Sequence, residues 1–353
     1  MFNDTVAFAG HSGRDRQLAE SSELTDPALF WDRDAIIHWL QVRGDEQEQL
    51  FATARAAREQ IFGRRVVVRG LIEVTNLCRV NCEFCPMRRD NTKRNTIFQL
   101  TPEQILEAIA EIKAAGINII FFQAGEVGKT TQLVGDLIPE IQSRFDGPVE
   151  LLLCLGNKTD KEYEFLRKQG ATSYILKHET SDPKLNERMR HSSYEERIRC
   201  LRTMIRLGFK VGTGAIIGLP DQSLETLADD LELARDLGAH MVSGSPFIPA
   251  PDTPLADYPP GDVELTLNFI AIARIMNPNW LIPSVSALER RQGGGQLSGL
   301  MAGANVLTVN FTPPVEQEKY LIYGKDRYVV RNDHVTQIVR EAGLERGKSV
   351  FAV

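Results

Sequence analysis

Apolar residues along this chain follow two alternating spacings, which together predict its secondary structure. Near the N-terminus they recur every three or four positions over residues 34–40 and 46–62, which predicts two amphipathic helices. A continuous apolar run at 66–74 then predicts a first buried strand. The chain is therefore expected to begin with a helical extension over residues 1–65, before a sheet starts.

After this strand, a unit of helix, glycine and strand repeats at intervals of about 30 residues. Thr101, Pro102 and Gln104 begin the first of these helices as its cap, first helical residue and capping-box partner. Later units predict helices at 133–144, 161–169, 193–207, 224–237 and 265–276, and strands at 117–122, 149–155, 173–176, 210–217, 241–245, 282–286 and 305–309. Helical crossovers join parallel strands, and about eight strands favour closure into a barrel. The predicted fold is α/β: a single (β/α)8 barrel over 66–353 with a C-terminal helical end.

Three of the five cysteines lie directly after the first predicted strand. Cys78, Cys82 and Cys85 have the spacing C-x3-C-x2-C. Three thiolates on one loop can ligate three irons of a cubane and leave the fourth iron open to a substrate or cosubstrate. The loop is also expected at the C-terminal end of a barrel strand, where the active sites of such barrels assemble. The spacing therefore indicates a [4Fe-4S] cluster.

Two other interpretations of these cysteines remain open at this stage. A structural zinc site usually needs four ligands, and the only other cysteines, Cys154 and Cys200, fall far along the chain in a predicted strand and a predicted helix. Alternatively, the three thiols could have a structural role. We expect Cys154 and Cys200 to be small buried apolar residues.

The cysteine spacing, with Phe84 before the last cysteine, resembles that of the radical S-adenosylmethionine (SAM) superfamily. Within it, the order of motifs over 66–315 is similar to the subgroup of biotin synthase, methylornithine synthase and the single-barrel [FeFe]-hydrogenase maturase. The run at 85–91, the segment Gln123–Glu126 and the stretch at 246–256 resemble the maturase most closely. The resemblance implies two cofactors, a [4Fe-4S] cluster and SAM.

The resemblance also implies roles for particular residues near the strand ends. Glu126 ends a segment that offers backbone carbonyls to the ammonium group of SAM, while Glu179 and Arg197 take the places that contact its ribose and its carboxylate. Without the resemblance, a surface turn and a helix-surface ion pair would explain these two residues. The implied cofactor-binding residues are Phe84, Gln123, Gly125, Glu126, Glu179, Arg197, Ala215, Ile217, Phe247 and Ile248, and the candidate substrate residues are Lys177, His178, Ser284, Ser286 and Thr308.

Charge and hydropathy narrow the function classes further. The chain has 41 Lys and Arg against 47 Asp and Glu, so it lacks the basic excess of a nucleic-acid-binding protein. No apolar run approaches the roughly 20 residues that cross a bilayer, and the first residues lack a secretion pattern. We expect a cytoplasmic protein that binds neither nucleic acid nor membrane. Its expected partners are a small-molecule substrate and an electron donor such as ferredoxin or flavodoxin.

Three functional hypotheses follow from these observations. The first is a maturase-like radical enzyme that acts on a small substrate within the barrel. The second is an enzyme like methylornithine synthase or biotin synthase that acts on a free amino acid or another metabolite. A lysine mutase is disfavoured, because Ser243 and Ala287 stand where the resemblance places the charged residues that bind lysine in methylornithine synthase. The third is a non-catalytic iron–sulfur scaffold, which would not need Gly125, Glu126 or Arg197.

Overall fold

Two helices precede the sheet in the computed structural model, which describes residues 32–92 and 96–347. They are α1 (Arg33–Gln41) and α2 (Asp45–Phe62), and both were predicted. The carboxylate of Asp32 caps α1 by accepting from the backbone N–H of Asp34 at 2.9 Å. The start of the expected extension (1–31) and the end of the expected barrel region (348–353) lie outside the described residues. The domain boundary at residue 65 stays a prediction.

The described residues contain eight strands in one sheet, and every pair of neighbouring strands is parallel. The strands are β1 (Arg65–Thr75), β2 (Ile119–Ala124), β3 (Glu150–Cys154), β4 (Ser173–Ile175), β5 (Lys210–Ile217), β6 (Met241–Pro246), β7 (Val306–Asn310) and β8 (Glu345–Gly347). Seven of them follow the order β6-β5-β4-β3-β2-β1-β7, whereas β8 pairs with the start of β1. Each crossover between successive barrel strands contains at least one helix, as expected for parallel strands.

A short extended segment between β6 and β7 joins the two ends of this order. Leu281 forms a parallel bridge with Met241 of β6, and Pro283 forms one with Val306 of β7. The predicted barrel is therefore confirmed, but the predicted strand at 282–286 is wrong, because it is reduced to these isolated bridges. Pro283 lacks an N–H to continue a ladder, and a helix begins at Ser286.

Helices surround this sheet, and most of them were predicted. Helices α1 and α2 pack against α9 (Val263–Met276), and α1 also packs against α8 (Leu224–Asp236). The helices after β1 are α3 (Pro102–Ala114), α4 (Lys129–Ser143), α5 (Asp160–Gln169), α6 (Pro183–Arg190), α7 (Tyr194–Arg206), α8 (Leu224–Asp236), α9 (Val263–Met276), α10 (Ser286–Arg291), α11 (Gly295–Met301), α12 (Pro314–Gln317) and α13 (Asn332–Glu341).

Helix α6 was not predicted, although its N-terminus carries a clear start signal. The carboxylate of Asp182 accepts from the backbone N–H groups of Lys184 and Leu185 at 2.8 and 3.0 Å, and Pro183 takes the first helical position. The helix places its last residue, Arg190, beside the cysteine loop. Across the described ranges, no helix combines the length and the apolar character needed to cross a membrane.

Candidate active site

The cysteine loop leaves the C-terminal end of β1 and lies against several neighbouring loops. The side chain of Asn76 fixes its base, donating to two backbone carbonyls at 2.7 and 2.9 Å. The sulfur of Cys78 accepts from the backbone N–H of Glu126 at 3.3 Å. Cys82 is buried, whereas Cys78 and Cys85 are half-buried. Cys85 also lines the large cavity inside the barrel.

Burial and the charges of neighbouring cysteines raise the pKa values of two of these thiols, those of Cys82 and Cys85. Burial raises the pKa of Cys82 to about 11, with a smaller upward contribution from Cys78. Burial also raises the pKa of Cys85, and the charges of Cys82 and Cys78 raise it further. A nearby metal centre would offset both effects, because it keeps its coordinating thiols deprotonated.

The donor set fits an iron–sulfur cluster. Three soft thiolates on one loop, partly shielded from water, match the ligands that hold such clusters. In the part of the chain that the structure describes, no three Cys, His, Asp or Glu side chains come together as ligands of a single metal ion.

A buried network of charged groups lies beside this loop. The carboxylate of Glu126 accepts from the Arg79 guanidinium and from the backbone N–H of Asn157, both at 2.8 Å. Arg197 donates through Nη1 to the Asn157 side chain at 2.7 Å and through Nε to the backbone oxygen of Lys177 at 2.9 Å. The Glu126 side chain is thus bound within the protein.

Glu179 extends this network toward the cavity. Its backbone has a φ of 71°, a left-handed conformation that is rare for a residue with a side chain. Hydrogen bonds hold this conformation, since its N–H donates to Gly214 O at 3.0 Å and its carbonyl accepts from Ile216 N at 2.9 Å. The carboxylate lies 3.5 Å from Lys177 Nζ and 3.7 Å from Arg197 Nη2, and it lines the cavity.

His178 does not face the cavity, contrary to the expectation that it contacts the substrate. Its imidazole is fully buried between strand and helix, with Nδ1 2.8 Å from Thr213 Oγ1 and Nε2 3.1 Å from Asp230 Oδ1. Adjacent residues on an extended segment point to opposite sides, so the inward position of Lys177 directs His178 outward.

The barrel encloses a cavity of about 290 Å³ that reaches from the cysteine loop toward the interior of the sheet. Ser284 lines it, but its hydroxyl already donates to the backbone oxygen of Gln296 at 2.7 Å. The predicted site residues that line the cavity are Phe84, Cys85, Gln123, Lys177, Glu179, Arg197, Phe247, Ile248, Ser284, Ser286 and Thr308. Those that do not are Cys78, Cys82, Gly125, Glu126, His178, Ala215 and Ile217.

Ala215 and Ile217 are fully buried in β5 and do not line the cavity. The carbonyl of Ile217 already accepts from Phe247 N at 2.8 Å. Gly125 packs so closely under the loop that an added Cβ would lie 2.0 Å from the backbone oxygen of Leu77. Gly125 therefore serves the close approach of the two loops.

Several lining residues were missed by the sequence analysis. Arg69 and Glu73 are charged residues four positions apart in a mostly apolar strand, so the two-residue period of a strand could have placed both on the face inside the barrel. Glu73 forms a bidentate ion pair with Arg327, with contacts of 2.5 and 2.7 Å. Burial lowers the pKa of Arg69 to about 10 and raises that of Glu73 despite its partner.

Cys154 is half-buried and lines the cavity, where it packs against buried apolar residues as a small apolar side chain is expected to do. It pairs in register with Gln123 of β2, and both side chains face inward. Burial raises its pKa to about 11, so the thiol is protonated near neutral pH. Cys200, in contrast, is fully buried on α7, as expected.

Comparison with known proteins supports the sequence resemblance. The family model described as the radical SAM superfamily matches residues 72–234. The [FeFe] hydrogenase maturase subunit HydE of Thermotoga maritima is 37% identical over 278 residues, which cover 78% of this chain and 79% of that protein. The 3-methylornithine synthase of Methanosarcina acetivorans is 26% identical over 304 residues, covering 85% of each chain.

Solved structures match the fold over most of its length. The crystal structure of methylornithine synthase has a TM-score of 0.79 and 23% identity, covering 92% of this chain and 97% of that one. The crystal structure of HydG, a maturase of the [FeFe]-hydrogenase, has a TM-score of 0.78 and 19% identity, covering 96% and 80%. At these identities the structural likeness concerns the fold.

Proposed function

This chain belongs to the radical SAM superfamily, and we propose that Cys78, Cys82 and Cys85 hold its [4Fe-4S] cluster at the mouth of the barrel. The enzyme uses this cluster and SAM, as members of the superfamily do. The observation that carries the proposal is the position of the three thiols, next to Glu126, Glu179 and Arg197 and above the barrel cavity.

When it is bound and reduced, the cluster supplies one electron that splits SAM into methionine and a 5′-deoxyadenosyl radical. The protein's contribution is placement and exclusion of water. We assign the SAM carboxylate to Arg197, whose guanidinium the Asn157 side chain and the Lys177 carbonyl hold in a fixed orientation. Glu179 is assigned to the ribose hydroxyls as a hydrogen-bond acceptor. The strained backbone of Glu179 supports this assignment, because such conformations cluster at ligand-binding sites.

The adenine is assigned to the apolar wall that Phe84, Phe247 and Ile248 contribute to the cavity. Gln123 and Gly125 belong to the backbone segment that approaches the ammonium group. Ala215 and Ile217 act from β5 through their neighbours, because Ala215 forms a parallel bridge with Glu179 and the carbonyl of Ile217 accepts from Phe247 N. Phe84 packs against the cluster of buried apolar residues that contains Phe247, so this wall is continuous with the cysteine loop. A wall of this kind keeps water from the reactive carbon.

We propose that a small substrate occupies the deeper part of the cavity, near Lys177, Ser286 and Thr308. The 37% identity to HydE supports a maturase-like reaction over one like that of 3-methylornithine synthase, which is 26% identical. We also propose a cytoplasmic location and a ferredoxin or flavodoxin as the electron donor. Free cysteines throughout the described residues are consistent with a reducing compartment.

The proposal is tested by reconstituting the protein anaerobically with iron and sulfide, then adding dithionite and SAM. Formation of methionine and 5′-deoxyadenosine, measured by mass spectrometry, is expected. The maturase-like reaction is tested separately by replacing HydE with this protein in a hydrogenase maturation mixture. Active hydrogenase would support that assignment. If the mixture stays inactive while the protein still cleaves SAM, the maturase-like reaction is contradicted and the radical SAM activity is not.

A further inference from the structure

Arg190, the last residue of α6, is a buried arginine whose hydrogen-bonding groups lack suitable partners. Only 4% of its surface is exposed, and its Nε has no hydrogen-bond acceptor among residues 32–92 and 96–347. The nearest carboxylate oxygens lie 3.8 Å away on Glu126 and 4.0 Å away on Glu179, beyond hydrogen-bond distance. Burying a guanidinium without hydrogen bonds is costly, so a missing acceptor is expected at this position.

The two carboxylates near Arg190 already have other partners. Glu126 accepts from Arg79 and from the Asn157 backbone, and Glu179 lies closer to Lys177 than to Arg190. Arg197, the other buried guanidinium of the network, differs because it donates to a carbonyl and to an amide oxygen. Arg190 therefore makes fewer hydrogen bonds within the protein than Arg197 does, and it has more unused donor capacity.

The chain fixes Arg190 beside the cysteine loop through both of its neighbours. The carbonyl of Met189 accepts from the backbone N–H of Glu83 at 2.8 Å. On the other side, His191 Nε2 lies 2.9 Å from the carboxylate of the same Glu83. Glu83 directly follows Cys82, so these two contacts hold the end of α6 against the loop at that cysteine.

These contacts of Glu83 place Arg190 next to Cys82 among the loop cysteines. The interaction between the two charges agrees with this placement. Burial lowers the pKa of Arg190, but Cys82 is the largest influence in the other direction, and the net shift is upward. Each group thus stabilises the charged form of the other.

We infer that Arg190 is a positioning residue that donates a hydrogen bond to the Cys82 thiolate or an adjoining sulfide and makes the cluster easier to reduce. A positive charge next to the cluster stabilises the added electron, and hydrogen bonds to cluster sulfur act in the same direction. This inference rests on the proposed cluster at Cys78, Cys82 and Cys85. It assigns Arg190 to the reduction of the cluster and Arg197 to the binding of SAM.

The test is a redox titration of reconstituted protein without SAM, with the reduced cluster measured by electron paramagnetic resonance. Three variants are compared with the wild type: Arg190→Met, Arg190→Lys and the control Arg188→Met. Arg188 lies on the same helix, but its side chain is half exposed and bonds to Asp221. At the wild-type midpoint potential, Arg190→Met should lower the ratio of reduced to oxidised cluster at least tenfold, or about 59 mV for one electron.

Arg190→Lys should recover part of that ratio because it keeps the charge, and Arg188→Met should match the wild type. A wild-type midpoint in Arg190→Met overturns the inference, even where SAM binds more weakly. Should Arg190→Met fail to keep its cluster, the neutral variant Arg190→Gln decides by the same criterion. A wild-type protein without any cluster would instead contradict the proposed function, and it would be recognised before the variants are compared.

Discussion

Two regions of the molecule bury arginines in opposite ways. Arg274, in α9, lies behind the barrel wall and is fully buried. It donates to the carbonyls of Gly303, Pro278 and Trp280 and to the side chain of Asn305, at 2.7 to 2.9 Å. At the mouth of the barrel, Arg190 is almost as deeply buried, but its nearest carboxylate oxygens are 3.8 and 4.0 Å away.

This difference distinguishes buried arginines that stabilise the fold from buried arginines that bind a ligand. A buried polar group in a structural position finds its hydrogen bonds within the protein, as Arg274 does. Buried charges with incomplete partners are found instead at binding and catalytic sites, where the ligand completes them. At the barrel mouth, Arg190 shows this incompleteness, and so do the thiols of Cys82 and Cys85, whose pKa values burial raises.

Removal of one cysteine from the mouth should have the largest effect. We expect Cys82→Ala to lose the visible thiolate-to-iron absorption and the formation of 5′-deoxyadenosine, because two protein thiolates remain where the cluster needs three. Absorption spectra and iron analysis of anaerobically reconstituted protein measure the change. Cys154→Ala is the matched control, since Cys154 lines the same cavity but lies on β3. Equal iron contents in the two variants would show that the loop does not hold the cluster.

Replacement of Arg274, whose hydrogen bonds are complete within the protein, should lower the stability of the fold and leave the midpoint potential of the cluster unchanged. Arg274→Met leaves several buried acceptors without a donor, and we expect the free energy of unfolding to fall by about 3 kcal/mol. Denaturant unfolding measures the loss, and the exposed ion pair of Arg33 with Asp229 supplies a control, Arg33→Met, with little expected change. An Arg274→Met variant as stable as the wild type would show that the hydrogen bonds of Arg274 do not stabilise the fold.

A smaller effect is expected at Glu179, where the cavity meets the charged network. Glu179→Gln keeps the shape of the side chain but removes the charged acceptor. The dissociation constant of SAM should therefore rise by roughly tenfold or more. Isothermal calorimetry on the reconstituted protein measures the dissociation constant. Glu195→Gln, an exposed position on α7, should leave the constant unchanged. An unchanged dissociation constant in Glu179→Gln would show that Glu179 does not contribute to SAM binding.

The barrel could be predicted because its elements are long and locally marked. The capping box of Thr101 and Gln104 begins α3 as predicted, and the glycine after α5 ends that helix in a left-handed conformation. The strand predicted at 282–286 failed because apolar residues alone do not reveal that Pro283 interrupts the ladder and that a helix starts three residues later. Helix α6 was missed because it has only eight residues and carries a single helically spaced apolar pair, Leu185 and Met189, in a mostly polar sequence.

The site was predictable where one short motif contains the chemistry, as in the cysteine loop. It was not predictable where the direction of a side chain decides the role. His178 and Lys177 are neighbours, yet only the lysine lines the cavity. Arg190 resembles an ordinary basic residue in the last turn of a helix, and only the contacts of Glu83 with its two neighbours bring it to the loop.

The central claim is that three protein thiolates hold a cluster whose remaining iron is free for SAM. Its most direct test is the electron paramagnetic resonance spectrum of the anaerobic, dithionite-reduced wild-type protein, recorded before and after SAM is added. We predict the signal of a reduced [4Fe-4S] cluster, and a change in that signal when SAM occupies the free iron. A protein that binds zinc and gives no such signal, or a cluster signal that SAM leaves unchanged, would contradict the account.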